Sequence, residues 1–244
     1  MKIQRRHVGV LALLLVGGSV FGSGCAENRS SLFVRGAMVV PTDTCEVTAD
    51  AAATLLFRGL LDVGLAAEHH GVLLVGNQLV RRGNNATLRT ETSRIQISSA
   101  DVEVFDAKGG SLGAFSVPVS GFADPGSASE PGFGAASVVM VDSASATAAL
   151  AGGRGPVEVV ASVILHGETL GGVAVDAGEW QFPIDVCVGC SVIFPPGSND
   201  TTDMPEIPDC DVLDDAAFNC HSGIDSKTDC RSCPDFAVCV PPQP

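Results

Sequence analysis

The sequence predicts an all-β fold, and three observations lead to this prediction. Between residues 32 and 194, β-branched and other apolar residues occur in short runs that Gly, Pro, Asn and Asp interrupt. Several runs alternate apolar and polar side chains with the period of two that marks a strand with one buried face. Turn signals separate roughly eight to ten such runs. This spacing predicts a β-sandwich, immunoglobulin-like in the loose architectural sense, with a closed sheet as the alternative.

The first strands are predicted from apolar runs and from glycines that disfavour a helix. Residues 32–40 form an apolar run that ends at the turn sequence 41–43. Residues 49–75 are rich in Ala and Leu but contain three glycines, each of which would cost a helix about 1 kcal/mol. We therefore expect two strands there, near 58–66 and 71–80, joined around residues 68–70.

The later strands show clearer alternation. A strand over 94–106 requires a bulge near Ser98 and Ser99, because the apolar positions change phase there. Further strands are predicted around 115–119 and 180–186. The segment 109–113 formally matches the G-x-S-x-G nucleophile motif around Ser111. That motif needs a helix after the serine, whereas an alternating strand follows here, so a hairpin turn is expected.

The N-terminal segment has the layout of a signal peptide. Lys2, Arg5 and Arg6 precede an apolar run of 14 residues, Val8 to Phe21. A membrane-spanning helix needs about 20 apolar residues, so this run is too short to span a bilayer. Small residues follow the run, as in a cleavage site. Residues 1–24 are therefore predicted to be a secretory signal peptide.

The sequence Gly22-Ser23-Gly24-Cys25 resembles the lipobox of bacterial lipoproteins. The resemblance implies that Cys25 is acylated and becomes the first residue of the mature chain. It also implies residence at the outer membrane, because Ala26 stands where an Asp favours retention at the inner membrane. Gly22 departs from the usual Leu, and Gly22 and Gly24 also fit the small-x-small site of an ordinary signal peptidase, which is the alternative. Residues 25–31 would then form a short tether.

The cysteine count supports lipidation of Cys25. The chain has nine cysteines, so an exported protein would keep one unpaired unless Cys25 carries lipid. The eight others would then all pair. Two CxxC pairs also have zinc-site spacing, but export to an oxidising compartment favours disulfides. The candidates for disulfide bonding are Cys45, Cys187, Cys190, Cys210, Cys220, Cys230, Cys233 and Cys239.

The cysteines divide unevenly between two segments. Three lie in residues 32–194, called the body here, and five lie in residues 195–244, called the tail. Because both numbers are odd, complete pairing requires at least one bridge between body and tail. The tail also holds ten acidic and two basic residues and almost no periodicity. It is therefore predicted to be an irregular, disulfide-rich acidic segment that is stapled to the body.

Charge restricts the partners. From Cys25 onward, 11 basic residues face 28 acidic ones, a net charge of −17. Such a surface repels nucleic-acid phosphates and, beyond the lipid anchor, anionic membranes, so nucleic-acid binding is not expected. The exception is a cluster of arginines around the Asn84-Asn85 turn, which forms a candidate patch for an acidic partner or an exposed hairpin. The patch comprises Arg81, Arg82, Arg89 and Arg94.

Other polar residues give weaker indications. The tail acids Asp200, Asp203, Asp209, Asp211, Asp214 and Asp215 suit calcium chemically, but they lack the spacing of a calcium loop, so solvated coil is expected. His69, His70, His166 and His221 are interpreted as solvated turn residues. His69 and His70 should face opposite sides if they lie on a strand. Neither a cofactor nor a metal is predicted.

These observations favour a non-enzymatic lipoprotein of the outer membrane with a structural or binding role. Two alternatives remain open from the sequence. One is an exported hydrolase whose acid and base come from scattered Asp, Glu and His residues. The other is a surface metal-binding protein that uses the acidic tail.

Overall fold

The structure is a computed structural model that describes residues 31–42, 44–84, 89–194, 210 and 220–240. Cys25 and the six tail acids considered for calcium lie outside these residues. The described chain is mostly strand, with one short helix. The elements in chain order are β1 (Leu32–Met38), β2 (Leu55–Leu56), β3 (Gly59–Asp62), β4 (His69–Asn77), β5 (Ile95–Asp106), β6 (Ser111–Ala123), β7 (Gly132–Val141), α1 (Ser143–Ala149), β8 (Val157–Thr169), β9 (Ala174–Asp176), β10 (Trp180–Cys187), β11 (Val192–Ile193) and β12 (Thr228–Asp229).

Ten of the strands form one mixed sheet in the order β2-β1-β4-β7-β6-β5-β8-β10-β3, and β9 pairs with β8. All pairs are antiparallel except β10 with β3. A bridge between Leu32 and Ala177 brings β1 close to the β9–β10 connection, so the sheet nearly closes on itself. The all-β class is confirmed. The immunoglobulin-like sandwich is not confirmed, because these strands belong to one hydrogen-bonded sheet.

One apolar core lies inside this curved sheet, and its residues explain the strands. In β5, Ile95 and Ile97 are buried, and Val102 and Val104 are buried in the opposite phase. The register with β6 and with β8 shifts between Ile97 and Ser99. The predicted bulge is therefore confirmed: it lets both halves of the strand direct apolar side chains to the same core.

The region of 49–75 differs from the prediction. Its strands are shorter than expected, and β4 begins at His69 instead of residue 71. His69 and His70 consequently lie on a strand and not in the turn that was predicted there. They do face opposite sides: His69 is fully buried and His70 is exposed.

The sheet gives the molecule two distinct ends. At one end β1, β5 and β7 begin and β4, β6 and β8 finish; we call it the entry end, because the chain enters the sheet there at Leu32. At the opposite, distal end lie α1, the β5–β6 hairpin and the described part of the tail. The tail contacts the end of β3, where the N–H of Asp62 donates to the carbonyl of Gly223 at 2.7 Å.

The described tail residues are largely irregular, as predicted. They include the parallel pair of β12 with β11 and two 3-10 turns, Cys230–Ser232 and Ala237–Cys239. Four buried half-cystines form a small cluster against Leu65, Val192, Phe194 and Val238. Among the described residues, no helix has the length and apolar character needed to cross a membrane.

Candidate functional site

The four arginines predicted to form a patch are brought together at the entry end. Their position depends on Asn77, which is buried at the end of β4. Its side-chain amide donates to the carbonyls of Ser93 at 2.8 Å and Ala123 at 3.1 Å, and its side-chain oxygen accepts from the N–H of Leu79 at 2.9 Å. One side chain therefore fixes the chain that leaves β4 and the chain that enters β5.

Glu91 organises the segment that carries the arginines. Its carboxylate accepts from the N–H groups of Arg82 at 3.0 Å, Gly83 at 2.8 Å and Ser93 at 2.7 Å. Desolvation raises the pKa of Glu91, but these hydrogen bonds outweigh it and lower the pKa overall. Backbone N–H groups thus hold the carboxylate in its charged form, and the same carboxylate also interacts electrostatically with Arg94.

The arginine side chains differ in their environment. Arg94 donates from Nε to Asp124 at 2.5 Å, and its guanidinium lies 5.6 Å from the centre of the Phe122 ring. Arg81 and Arg94 line an open groove of about 450 Å³. Arg81, Arg82 and Arg89 are exposed, and none of them forms an ion pair with another described residue. They remain available to a partner.

A second polar centre lies at the distal end around Asp62, a residue that the sequence analysis did not single out. Asp62 is fully buried. Oδ1 accepts from the N–H groups of Gly64 at 3.0 Å and Gly189 at 2.6 Å. Oδ2 accepts from the N–H and the hydroxyl of Ser191 at 2.9 and 2.8 Å. A single carboxylate in the apolar run Leu60-Leu61-Asp62-Val63 was the available signal for such a buried group.

The Asp62 centre holds the Cys187–Cys190 segment in place. Gly189 has a φ of 78°, a left-handed conformation that glycine adopts without strain, and this directs its N–H at the carboxylate. Asp62, Cys187 and Cys190 are also the one group of three metal-type ligands among the described residues. The two cysteines are bonded to each other, however, and so offer no thiolate to a metal. The centre is built as a structural clamp.

The eight cysteines other than Cys25 form four disulfides: Cys45–Cys220, Cys187–Cys190, Cys210–Cys230 and Cys233–Cys239. Disulfide bonding is confirmed. The zinc alternative required four thiolates from the two CxxC pairs, but Cys230 and Cys233 bond to different partners. The Cys45–Cys220 bridge joins the tail to the body.

Close to this bridge, His69 and Asp225 form a pair that the sequence analysis missed. Asp225 Oδ1 lies 2.9 Å from His69 Nε2 and accepts from the N–H of Leu60 at 2.8 Å. His69 is completely buried, contrary to its interpretation as a solvated turn residue, because the tail covers the start of β4. The adjoining cavity, lined by His70, His221 and Asp225, holds only about 30 Å³, room for a water molecule and not for an organic ligand.

His166 also differs from its interpretation as a turn residue. It lies on β8, where Nδ1 is 2.9 Å from Asp176 and Nε2 is 3.0 Å from Asp101. The hydrogen bond with Asp176 raises the pKa of His166; partial burial opposes this and Asp101 adds to it. Ser116 donates to Asp101 and, together with His166, lowers the pKa of Asp101. An aspartate thus separates the serine from the histidine, so this row does not have the order of a nucleophile and its base.

Ser111, the serine of the G-x-S-x-G match, starts β6 directly after the β5–β6 hairpin. The hairpin turn is closed by Asp106, whose carboxylate accepts from the N–H groups of Lys108 at 2.7 Å and Gly110 at 2.9 Å. A strand follows the serine, as the sequence predicted, and not the helix of a nucleophile elbow.

Comparison of the chain with protein-family models, with curated proteins and with solved structures found no match.

Proposed function

We propose that this protein is an exported lipoprotein of the bacterial outer membrane that is anchored through acylated Cys25 and has a structural or binding role without catalysis. The observation that carries the proposal is the cysteine pairing. All eight other cysteines have partners, so Cys25 is the one thiol left for another chemistry. Four disulfides also agree with a protein that matures in an oxidising compartment.

The described polar centres support a binding or structural role over a catalytic one. The carboxylates of Asp62 and Glu91 accept hydrogen bonds mainly from backbone N–H groups. Asp101 lies between Ser116 and His166 and accepts a hydrogen bond from each of them. Arg81, Arg82 and Arg89 face solvent and form no ion pair with another described residue, and guanidinium groups bind anions instead of performing acid–base chemistry at neutral pH. The lipid would supply attachment, the sheet rigidity and the arginines a contact surface.

The proposal is tested on the protein expressed in a bacterial host and extracted from membranes. Mass spectrometry of the mature N-terminal peptide should give a chain that starts at Cys25 and carries diacylglycerol on its sulfur. The Cys25→Ser variant should keep its signal peptide or be processed elsewhere, and should leave the membrane fraction after cleavage. An unmodified Cys25, or a mature chain that starts at another residue, would refute lipid anchoring.

A further inference from the structure

We propose that the entry end is a docking surface for an anionic lipid bilayer, so that the anchored protein rests on the membrane with its arginine patch and holds its disulfide-rich distal end away from it. The inference deepens the proposed function and rests on it, because it takes Cys25 as the point of attachment. Three features of the entry end support it: where the chain arrives, how the charge is distributed, and which apolar side chains are exposed.

The chain arrives at the same end of the sheet as the arginines. The carbonyl of Ser31 accepts from the N–H of Gln78 at 2.8 Å, and Leu32 pairs with Asn77 and bridges to Ala177. Ser31 follows Cys25 by six positions, and an extended chain spans at most about 3.5 Å per residue. An acyl group on Cys25 therefore keeps the entry end within about 20 Å of the bilayer.

The charge of the protein is strongly asymmetric along the same axis. The entry end carries five arginines and five acidic residues, whereas the rest of the described chain carries five basic and fourteen acidic residues. Three of the five acids are already engaged, Glu91 by backbone N–H groups, Asp124 by Arg94 and Asp176 by His166. The charged residues of the entry end are Arg35, Arg81, Arg82, Arg89 and Arg94, with Glu91, Asp124, Glu130, Glu168 and Asp176.

Because of this asymmetry in charge, an anionic membrane surface interacts differently with the two ends of the protein. Attraction to anionic headgroups acts over a screening length of about 8 Å at physiological ionic strength. The exposed guanidiniums of Arg81, Arg82 and Arg89 fall within this range only when the entry end faces the bilayer. The distal end carries mostly carboxylates and is repelled by the same surface. Both forces favour one orientation.

Exposed apolar side chains accompany the arginines. Phe122 is 47% exposed, Leu170 51% and Val173 60%, and Val80 is exposed as well. Arg94 connects two of them, because its guanidinium lies over the Phe122 ring and its carbonyl accepts from the N–H of Leu170 at 2.9 Å. Apolar side chains next to guanidiniums suit the boundary between headgroups and acyl chains, where arginine keeps its charge at the phosphates.

The test measures which arginines a membrane covers. The mature acylated protein is added to vesicles of phosphatidylcholine alone or mixed with phosphatidylglycerol, and a dicarbonyl reagent modifies exposed arginines for mass spectrometry. We expect phosphatidylglycerol to slow modification of Arg81, Arg82 and Arg89 about fivefold, and high salt to remove this protection. Arg154, exposed at the distal end, is the internal control and should react equally on both vesicles.

Matched variants separate a specific surface from net charge. Arg81→Ser with Arg82→Ser should abolish the protection of Arg89, whereas Lys108→Ser with Arg154→Ser removes equal charge from the distal end and should leave it intact. Equal modification of Arg89 on both vesicles, or protection of Arg154 to the same degree, would overturn the proposal. If Cys25 proves unacylated, the proposed function fails, and the same measurement is made with the Cys25 thiol coupled to a maleimide lipid, so the two failures are distinguished.

Discussion

At the scale of single residues, Asp62 is expected to contribute most to stability. Its buried carboxylate accepts four hydrogen bonds, three of them from backbone N–H groups. Asp62→Asn keeps the side-chain volume but replaces one acceptor oxygen by an NH2 group. The N–H bonds of that group would face the donors whose hydrogen bonds the oxygen accepted. We expect the free energy of unfolding to fall by about 3 kcal/mol, measured by urea denaturation with the disulfides intact.

Asp106 provides the matched control. Its carboxylate also accepts backbone N–H groups, from Lys108 and Gly110, but the β5–β6 hairpin that it closes is exposed. Water replaces those hydrogen bonds in Asp106→Asn, so the loss should stay below about 1 kcal/mol. Similar losses in the two variants would show that burial of Asp62 is not the cause.

The buried polar residues also show what the sequence could not predict. Alternation along a strand predicts that His69 and His70 face opposite sides, and they do. It does not predict that Asp225, 156 residues later, covers His69 and accepts its hydrogen bond. The arginine patch was predictable because its members are close in the chain, whereas the Asp62 clamp depends on Gly189 and Ser191, which are remote from it.

At the scale of elements, local patterns predicted strands better than the pairing of strands. The β5 bulge followed from a phase change within the strand. The single curved sheet did not follow, because a sandwich and a closed sheet both place alternate side chains in one core. What distinguishes them here is that the strands form one continuous hydrogen-bonded sheet, which the bridge between Leu32 and Ala177 nearly closes, and no periodicity encodes those contacts.

The same scale gives a prediction for the tail. The Cys45–Cys220 bridge closes a loop of 175 residues and is the one disulfide described between tail and body. In the entropic model, removing a disulfide that closes a loop of this length lowers the free energy of unfolding by roughly 5 kcal/mol. Cys45→Ala with Cys220→Ala should therefore lower the free energy of unfolding by about this amount in urea, although Cys45 is exposed. A loss below about 1 kcal/mol would mean that noncovalent contacts alone hold the tail.

At the scale of the whole molecule, the net charge of −17 from Cys25 onward predicts a dependence on ionic strength. Repulsion among 28 acidic residues disfavours the compact state, and salt shortens its range from about 10 Å at 0.1 M to about 3 Å at 1 M. We expect the melting temperature to rise by several degrees with added salt. Sodium chloride and tetramethylammonium chloride should act equally, because screening depends on charge and not on the identity of the ion.

Calcium distinguishes screening from a specific site in the acidic tail. If the tail acids are solvated coil, calcium chloride should raise the melting temperature no more than sodium chloride of equal ionic strength, and EDTA should leave it unchanged. A saturable rise at calcium concentrations too low to alter the ionic strength would instead show a bound ion, by the linkage between ligand binding and stability. That result would contradict the coil interpretation and favour the metal-binding alternative, whereas a rise common to all salts would attribute the effect to screening of the repulsion among the acidic residues.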